Sequence, residues 1–251
     1  MFRPRIIPVL LLKEKALVKS FRFRKHRYIG DPINAVRIFN ELKADELIFL
    51  DIEATLKNRT ISTSLVRQIG EEADVPFAVG GGVNTIEAIR ELIAAGAEKV
   101  VIGSAAILTK NFIKEAADNF GSSSITVCID VRKDFFGVER VWIKNGKKLT
   151  QYSPEVYAKM MEDRGAGEVI VQSIIHDGTM EGYNIDLLRR VALSTTIPIV
   201  ALGGAGNLTH LRQAYIEGSA NALAAGSLFL FRSIKKGVLL NYPEEKSGIF
   251  N

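Results

Sequence analysis

Three short motifs occur twice in this sequence, in the same order and half a chain apart. The first half contains Phe49-Leu-Asp51, Pro76-Phe-Ala-Val-Gly-Gly-Gly82 and Ile102-Gly-Ser104; the second contains Val171-Gln-Ser173, Pro198-Ile-Val-Ala-Leu-Gly-Gly204 and Ala225-Gly-Ser227. Asp51 and Ser173, Pro76 and Pro198, and Gly82 and Gly204 are each 122 positions apart. This constant spacing predicts two copies of one four-strand unit. Each copy ends in glycine-rich backbone that suits phosphate binding, so the chain fits a substrate with a phosphate at each end.

Short β-branched runs alternate with helical patterns along the chain. Strands are predicted at Arg5–Leu11, Glu46–Leu50, Phe77–Val79, Lys99–Ile102, Ile125–Ile129, Glu168–Gln172, Ile199–Ala201 and Ala222–Ala224, and helices at Ile33–Lys43, Ser62–Glu72, Thr85–Ala95, Lys110–Asn119, Pro154–Arg164, Ile185–Ser194 and Leu208–Glu217. Such alternation is typical of a parallel sheet covered by helices. Eight units in 251 residues predict an α/β fold, a single (βα)8 TIM barrel over residues 1–251 with half-barrels at about 1–120 and 121–240.

Composition narrows the classes of partner and cofactor. The formal charge of +5 favours anionic partners, although charge alone does not separate metabolites from nucleic acid. The single cysteine, Cys128, excludes a disulfide framework and a cysteine zinc site, and neither a metal nor a cofactor is expected. No apolar run approaches the ~20 residues of a membrane helix, and Met1–Arg5 lacks the apolar stretch of a signal peptide. We therefore expect a cytoplasmic protein without a membrane partner.

The glycine motifs fall where a barrel binds its ligands. Loops that follow the strands meet at the C-terminal face of such a barrel, and glycine lets backbone N–H groups approach an anion closely. The predicted phosphate-binding residues are Gly81, Gly82, Gly103 and Ser104 in the first half, and Asp177, Gly178, Thr179, Gly203, Gly204, Gly226 and Ser227 in the second. One such motif could simply form a short turn. Two motifs at equivalent positions favour a pocket for a bis-phosphorylated small molecule.

A basic segment follows the first predicted strand. Lys19–Arg27 contains five Lys or Arg residues, one His and no acid. It could be a solvated loop, or an RNA-binding patch in which Phe21 and Phe23 stack on bases. Its place after the first strand favours a loop over the barrel mouth, which closes on an anionic substrate and excludes water.

Motifs along nearly the whole chain resemble the cyclase subunit of imidazole glycerol phosphate synthase. They are Arg5-Ile-Ile-Pro8, Gly30-Asp31-Pro32, Phe49-Leu-Asp-Ile52, Val79-Gly-Gly-Gly-Val83, Arg164-Gly-Ala-Gly-Glu168, Asp177-Gly-Thr179 and Gly203-Gly-Ala-Gly206. The resemblance implies a (βα)8 barrel that receives ammonia from a glutaminase subunit, its partner in a heterodimer. Such a barrel converts a substrate phosphorylated at both ends into imidazole glycerol phosphate and an aminoimidazole carboxamide ribotide.

The resemblance also implies a catalytic pair of aspartates, of which this chain has one. Cys128-Ile-Asp130 matches the fifth-strand motif, so Asp130 is the predicted catalytic residue, whereas Leu11 occupies the place of the first-strand acid. Leucine cannot transfer a proton. Lys19 matches a lysine that contacts substrate, and Asp51 is assigned to the same pocket. Two further positions depart from the family pattern: Ile175 stands where a carboxylate is usual, and Gly103 replaces an asparagine.

Four charged residues match the family's ammonia-channel gate at the opposite end of the barrel. They are Arg5, Glu46, Lys99 and Glu168. A cluster of two ion pairs could also serve stability alone, because buried charges must be paired. The chain keeps all four of these residues although it lacks one catalytic acid, and this combination favours an ammonia conduit with a docked glutaminase.

Three hypotheses on function remain open. The first is a conventional histidine-pathway cyclase that uses Asp130, with water, substrate or Asp51 in place of the missing acid. The second, which we favour, is a branch of the family that is associated with amidination of bacterial surface sugars of the O-antigen type. The segments 9–13 and 28–36 resemble that branch. A third protein, an amidotransferase, would hold the sugar. The third is a scaffold that conducts ammonia without turnover. A nucleic-acid binder is the weakest interpretation, because it leaves the glycine pairs unexplained.

Overall fold

The computed structural model describes residues 3–231, 237–243 and 247–250; residues 1–2, 232–236, 244–246 and 251 of the predicted domain lie outside the described residues. The strands are β1 (Arg5–Lys13), β2 (Ala16–Phe21), β3 (Arg24–Gly30), β4 (Leu47–Asp51), β5 (Phe77–Gly80), β6 (Lys99–Ile102), β7 (Ile125–Lys133), β8 (Glu139–Ile143), β9 (Lys148–Leu149), β10 (Glu168–Ser173), β11 (Ile199–Leu202) and β12 (Ala222–Ala225). The α-helices are α1 (Pro32–Glu41), α2 (Thr63–Glu72), α3 (Ile86–Ala94), α4 (Ala105–Leu108), α5 (Phe112–Phe120), α6 (Pro154–Asp163), α7 (Ile185–Ser194), α8 (Leu208–Ile216), α9 (Ser227–Leu230) and α10 (Ser247–Phe250). None of them is long and apolar enough to cross a lipid bilayer within the described ranges.

Eight strands form a closed parallel barrel. They follow the order β1, β4, β5, β6, β7, β10, β11, β12, and pairing of β12 with β1 closes the ring. This confirms the predicted α/β class and the (βα)8 barrel, and all eight predicted strands are present. The barrel strands that begin the two predicted halves, β1 and β7, each continue into an antiparallel hairpin. The division at about residue 120 into two half-barrels stays a prediction.

Alternation along the strands divides the core into two layers. On β1, Ile6 and Leu10 pack outward against the helices, whereas Ile7 and Val9 point into the lumen. The lumen is filled by aliphatic side chains from seven of the eight barrel strands, namely Ile7, Val9, Ile48, Ala78, Val101, Ile170, Val200, Leu202, Ala222 and Ala224. Strands covered on both faces are apolar throughout, which is why the sequence shows continuous apolar runs.

Capping side chains fix where the helices begin. Asp31, Ser62, Thr85, Ser153, Asn184 and Asn207 each accept a hydrogen bond from a backbone N–H in the first turn of the next helix. A cap of this kind satisfies one of the orphan donors at a helix start. The predicted helix Lys110–Asn119 corresponds to α5, which the separate turn α4 precedes.

The predicted loop Lys19–Arg27 is an antiparallel hairpin instead. Val18 on β2 pairs with Leu11 on β1, and β3 pairs with β2 as the outer strand. The tip bends at Arg22 and Phe23, which both have positive φ. Most side chains of β3 are exposed and polar, so apolar periodicity did not reveal it. Lys19, Ser20, Phe23 and His26 nevertheless lie over the barrel mouth, as expected.

Candidate functional site

A cavity of about 300 Å³ lies at the C-terminal ends of the barrel strands. Its lining includes Leu11, Lys19, Asp51, Gly81, Gly82, Gly103, Ser104, Asp130, Asp177, Gly178, Gly203, Gly204, Gly226 and Ser227. The glycine motifs of both halves therefore open into one cavity. Of the predicted phosphate-binding residues, Thr179 does not line it, because its hydroxyl donates to the carbonyl of His176 at 3.0 Å and accepts from Glu181 N at 3.3 Å.

The first glycine site consists of Gly81, Gly82, Gly103 and Ser104. Gly82 has a φ of +67°, and a Cβ placed on it would lie 1.8 Å from the carbonyl oxygen of Arg59. Only glycine fits such a close backbone approach. The Ser104 hydroxyl accepts a hydrogen bond from Lys144 N at 2.8 Å, so the β8–β9 turn contacts this site directly.

The second glycine site consists of Gly178, Gly203, Gly204, Gly226 and Ser227. Gly204 has a φ of +112°, and a Cβ on it would lie 1.9 Å from the carbonyl oxygen of Gly182. Gly82 and Gly204 thus face a backbone carbonyl in the same way, 122 positions apart. The repeat seen in the sequence is a repeat of backbone geometry as well.

A buried ion pair joins the β2–β3 hairpin to the second glycine site. Lys19 Nζ lies 2.7 Å from Asp177 Oδ1, and the two side chains are 7% and 9% exposed. Asp177 Oδ2 accepts from the Ser20 hydroxyl at 2.6 Å and from Phe23 N at 3.2 Å. Asp177 therefore fixes the hairpin over the cavity through three side-chain hydrogen bonds.

The Asp51 carboxylate accepts hydrogen bonds from donors in the loop that follows β4. Its carboxylate accepts from Glu53 N at 3.0 Å and Ala54 N at 3.1 Å, and Arg59 lies 2.5 Å away. Both oxygens of the carboxylate are therefore already occupied, Oδ1 by the two backbone N–H groups and Oδ2 by the Arg59 guanidinium. This geometry argues against the hypothesis that Asp51 replaces the missing proton donor.

Asp130 is the cavity carboxylate held by no ion pair among the described residues. Its one side-chain hydrogen bond there comes from the Cys128 thiol, with a sulfur–oxygen distance of 3.9 Å. Burial, followed by the negative charge of Asp177, raises the pKa of Asp130 to about 7, although the Cys128 contact lowers it. Burial and the proximity of Asp130 also raise the pKa of the Cys128 thiol. Near neutral pH, Asp130 can both accept and donate a proton.

Leu11 lines the same cavity on the β1 side. It pairs in register with Leu50 on β4, and both pack against the apolar lumen together with Cys128. The β1 wall of the cavity is therefore apolar where the resemblance placed a carboxylate.

The four charged residues at the other end form one connected cluster, which we call the charged ring. The Arg5 guanidinium pairs with Glu46 and with Glu168, and Lys99 Nζ lies 3.2 Å from Glu46 and 3.4 Å from Glu168. Burial disfavours the charge of Arg5, but Glu168 and Glu46 outweigh it and raise its pKa. The structure thus brings together all four residues that the sequence singled out.

Sequence reasoning missed the second hairpin over the mouth. Asn145 and Lys147, in the β8–β9 turn, line the cavity, and the Asn145 amide donates to the carbonyl of Ile52. Asn145-Gly146 is a strong hairpin-turn signal, and both residues have the positive φ such turns require. That dipeptide could have identified the turn before the structure did.

Comparison with known proteins agrees with this geometry. A family model described as histidine biosynthesis protein matches residues 5–235. Imidazole glycerol phosphate synthase subunit HisF of Chlorobium phaeobacteroides is 40% identical over 233 residues, 92% of each chain. Proteins provisionally named as the same subunit are 42% identical over 253 residues in Leptospira borgpetersenii, covering 100% of each chain, and 40% identical over 244 residues in Pseudomonas aeruginosa, covering 97% of each. The chain therefore belongs to the histidine biosynthesis protein family, as a HisF-type cyclase subunit of the imidazole glycerol phosphate synthase kind.

Proposed function

We propose that this HisF-type barrel accepts ammonia from a glutaminase partner, and that it serves the amidination of a bacterial surface sugar. There, the nitrogen of ammonia replaces the carbonyl oxygen of an acetamido group, which leaves as water, and the product is an acetamidino group. One observation supports this proposal above all: Leu11 and Asp130 line the same cavity, while the charged ring is complete. Ammonia delivery is thus retained, and one of the two proton-transfer groups implied by the resemblance is absent.

The ammonia path starts at the charged ring, on which the glutaminase docks. Between the ring and the cavity the lumen is packed with aliphatic side chains. Ammonium would lose its hydration there at a large cost, whereas neutral ammonia would not. Passage occurs between fluctuating side chains, which keeps the ammonia away from bulk water and from protonation.

The cavity has the chemistry to hold a substrate with two anionic ends. The two glycine sites bind one phosphate each through backbone N–H groups, and the Ser104 and Ser227 hydroxyls stand at their edges. Lys19 supplies a buried cation beside the second glycine site. The β2–β3 hairpin and the β8–β9 turn cover the bound molecule and limit its exposure to water.

Asp130 carries the proton transfer in this proposal. One positioned acid or base contributes typically ~10²–10⁴-fold to a rate, so the loss of the β1 acid is costly for a ring-closing reaction that uses both. The barrel therefore makes, or passes on, a nitrogen-bearing intermediate, and a separate amidotransferase holds the sugar.

A second candidate is the conventional cyclase of histidine biosynthesis. The observation that favours it is Asp130 itself, because a carboxyl with a pKa of about 7 can act as base and acid in turn.

One assay separates the two candidates. The purified chain receives ammonium salt and the bis-phosphorylated histidine-pathway intermediate, and the loss of substrate absorbance is followed. Our proposal expects negligible turnover by the natural chain and a gain of at least tenfold in Leu11→Asp, with Leu11→Asn as the uncharged control. Rapid turnover by the natural chain would instead establish the conventional cyclase. Asp130→Asn should abolish whatever turnover is seen.

A further inference from the structure

One barrel strand, β7, differs from the other seven on the face that points into the lumen. On β1, β4, β5, β6, β10, β11 and β12, the inward side chains between the charged ring and the cavity are aliphatic. On β7 the inward positions are Thr126 and Cys128, because Ile125, Val127 and Ile129 pack outward against the helices. Within the eight described strands, these two side chains are therefore the only inward ones with a heteroatom on this stretch.

Thr126 lies at the end of the lumen that adjoins the charged ring. It pairs in register with Glu168, a member of the ring, on one side and with the lumen residue Val101 on the other. Neighbouring strands are about 4.7–4.9 Å apart, so the Thr126 backbone is one strand spacing from that of Glu168. Ammonia that passes the ring therefore meets Thr126 at the start of the aliphatic lumen.

The Thr126 hydroxyl has no hydrogen-bond partner among the described residues. The residue is 1% exposed, and its Oγ1 neither donates nor accepts a hydrogen bond there. Buried hydroxyls are almost always paired, because an unmade hydrogen bond is costly in an apolar interior. A valine of the same shape would fill the position without that cost. The hydroxyl is therefore suited to a small polar molecule that enters the lumen.

Ammonia has the hydrogen-bonding capacity that a single hydroxyl in an apolar passage can use. It accepts through its lone pair and donates through its N–H groups, and a threonine hydroxyl offers one donor and two acceptor lone pairs. Ammonium has no lone pair, so it could only donate, and its charge would be costly to bury. The Thr126 hydroxyl thus favours the neutral, nucleophilic molecule over the ion.

The inward positions of β7 lead from Thr126 to Asp130. Cys128 follows Thr126 by two residues and Asp130 follows by two more, so each step is about 6–7 Å along the strand. The Cys128 sulfur lies 3.9 Å from Asp130 Oδ1, and burial, with the charge of Asp130, raises the thiol pKa so that it stays protonated. We call Thr126, Cys128 and Asp130 the polar line. It connects the ring end of the lumen with the predicted proton-transfer residue.

We propose that Thr126 binds ammonia in transit, and that the polar line guides it along the β7 wall from the charged ring to Asp130. This inference rests on the proposed function, in which a glutaminase supplies the ammonia. No covalent bond forms or breaks at Thr126, because ammonia only exchanges hydrogen bonds there and moves on as the neutral molecule. The opposite wall of the lumen, on β1, carries Ile7 and Val9, whose side chains offer no hydrogen bond.

Methyl NMR of the full chain tests ammonia binding without any turnover. The threonine methyl groups carry ¹³C, and Thr126→Val identifies the Thr126 signal. Ammonium chloride is titrated against sodium chloride at equal ionic strength, at pH 9.5, where ammonia is abundant, and at pH 6, where it is scarce. We expect a saturable shift of the Thr126 signal at pH 9.5 and none at pH 6. Thr150 is the matched control, because its hydroxyl already donates to the Val141 carbonyl at 2.7 Å.

Transfer of ammonia is measured in the barrel–glutaminase complex. The Leu11→Asp chain receives the bis-phosphorylated histidine-pathway intermediate, with either glutamine or ammonium salt as the nitrogen source. Added Thr126→Val should lower the ratio of glutamine-dependent to ammonium-dependent turnover by about fivefold or more, because ammonia from solution can enter at the mouth. Thr126→Ser keeps the hydroxyl and should keep the ratio within about twofold. Thr126→Val should unfold at the same or a higher Tm than the natural chain.

Three outcomes would overturn the inference. The Thr126 signal does not respond to ammonia, so that the hydroxyl holds water alone; or Thr126→Val leaves the turnover ratio unchanged; or Thr126→Val lowers the Tm, which would give the hydroxyl a structural role. Absence of ammonium-dependent turnover in Leu11→Asp would count against the proposed function instead. The NMR titration would then still decide whether Thr126 binds ammonia.

Discussion

Removal of Arg5 from the charged ring should destabilise the barrel far more than removal of its neighbour Arg3. The Glu46 and Glu168 side chains are only 5% and 8% exposed, and Arg5 pairs with both. In Arg5→Ala, Lys99 alone must neutralise two buried carboxylates. Breaking a buried pair in this way costs about 3–5 kcal/mol. At roughly 2–4 °C per kcal/mol for a chain near this size, the Tm should fall by about 6–20 °C.

The assays are thermal and urea-induced unfolding of the isolated barrel, each followed by circular dichroism, with Arg3→Ala as the matched control. Arg3 also pairs with a carboxylate, Asp45 at 2.9 Å, but its side chain is 40% exposed, and surface pairs are worth about 0–1 kcal/mol. The double variant Arg5→Met/Glu168→Gln leaves one balanced pair and should regain much of the lost stability. The ring is not a buried, coupled cluster if Arg5→Ala lowers the free energy of unfolding no more than Arg3→Ala does. The same holds if Arg5→Met/Glu168→Gln is no more stable than Arg5→Ala.

Three further predictions concern the cavity. The value of kcat/KM should rise with pH through a midpoint near 7 and level off above it, because the base form of Asp130 is lost as pH falls through its raised pKa; a flat profile from pH 5.5 to 8 would exclude Asp130 as the base. Gly204→Ala should lower the free energy of unfolding by more than about 1 kcal/mol, whereas Gly103→Ala, where a Cβ meets nothing within 4 Å, should be close to neutral in a denaturant titration. Asp177→Asn should leave Lys19 without its buried partner, so hydrogen exchange should speed up in β2 and β3 but not in α3; equal protection would contradict the role of Asp177.

The sequence did not predict which of the cavity carboxylates is paired with a cation. Asp51, Asp130 and Asp177 all lie near the C-terminal ends of barrel strands, and the sequence assigned each to the pocket without identifying its partners. Asp177 is neutralised by Lys19, which lies 158 positions away, and Asp51 by Arg59 in its own loop. Asp130 has no cation beside it among the described residues, and burial raises its pKa to about 7. That difference depends on contacts between distant segments, which no local pattern records.

The sequence by itself determined the barrel and the positions of its glycine sites. Strand alternation, helix caps and glycines that fit close backbone contacts are local properties of the sequence. The glycine motifs occur once in each half of the chain, so each occurrence supports the interpretation of the other. Tertiary structure decided how the segments meet. It folded the basic segment 19–27 into a hairpin, in which Lys19 pairs with Arg27, and anchored that hairpin through Val18, which pairs with Leu11 on β1. It also joined four charges at or just before the starts of four strands into one ring. It left Phe135 and Phe136 exposed, since burial depends on what packs around a residue and not on the residue type.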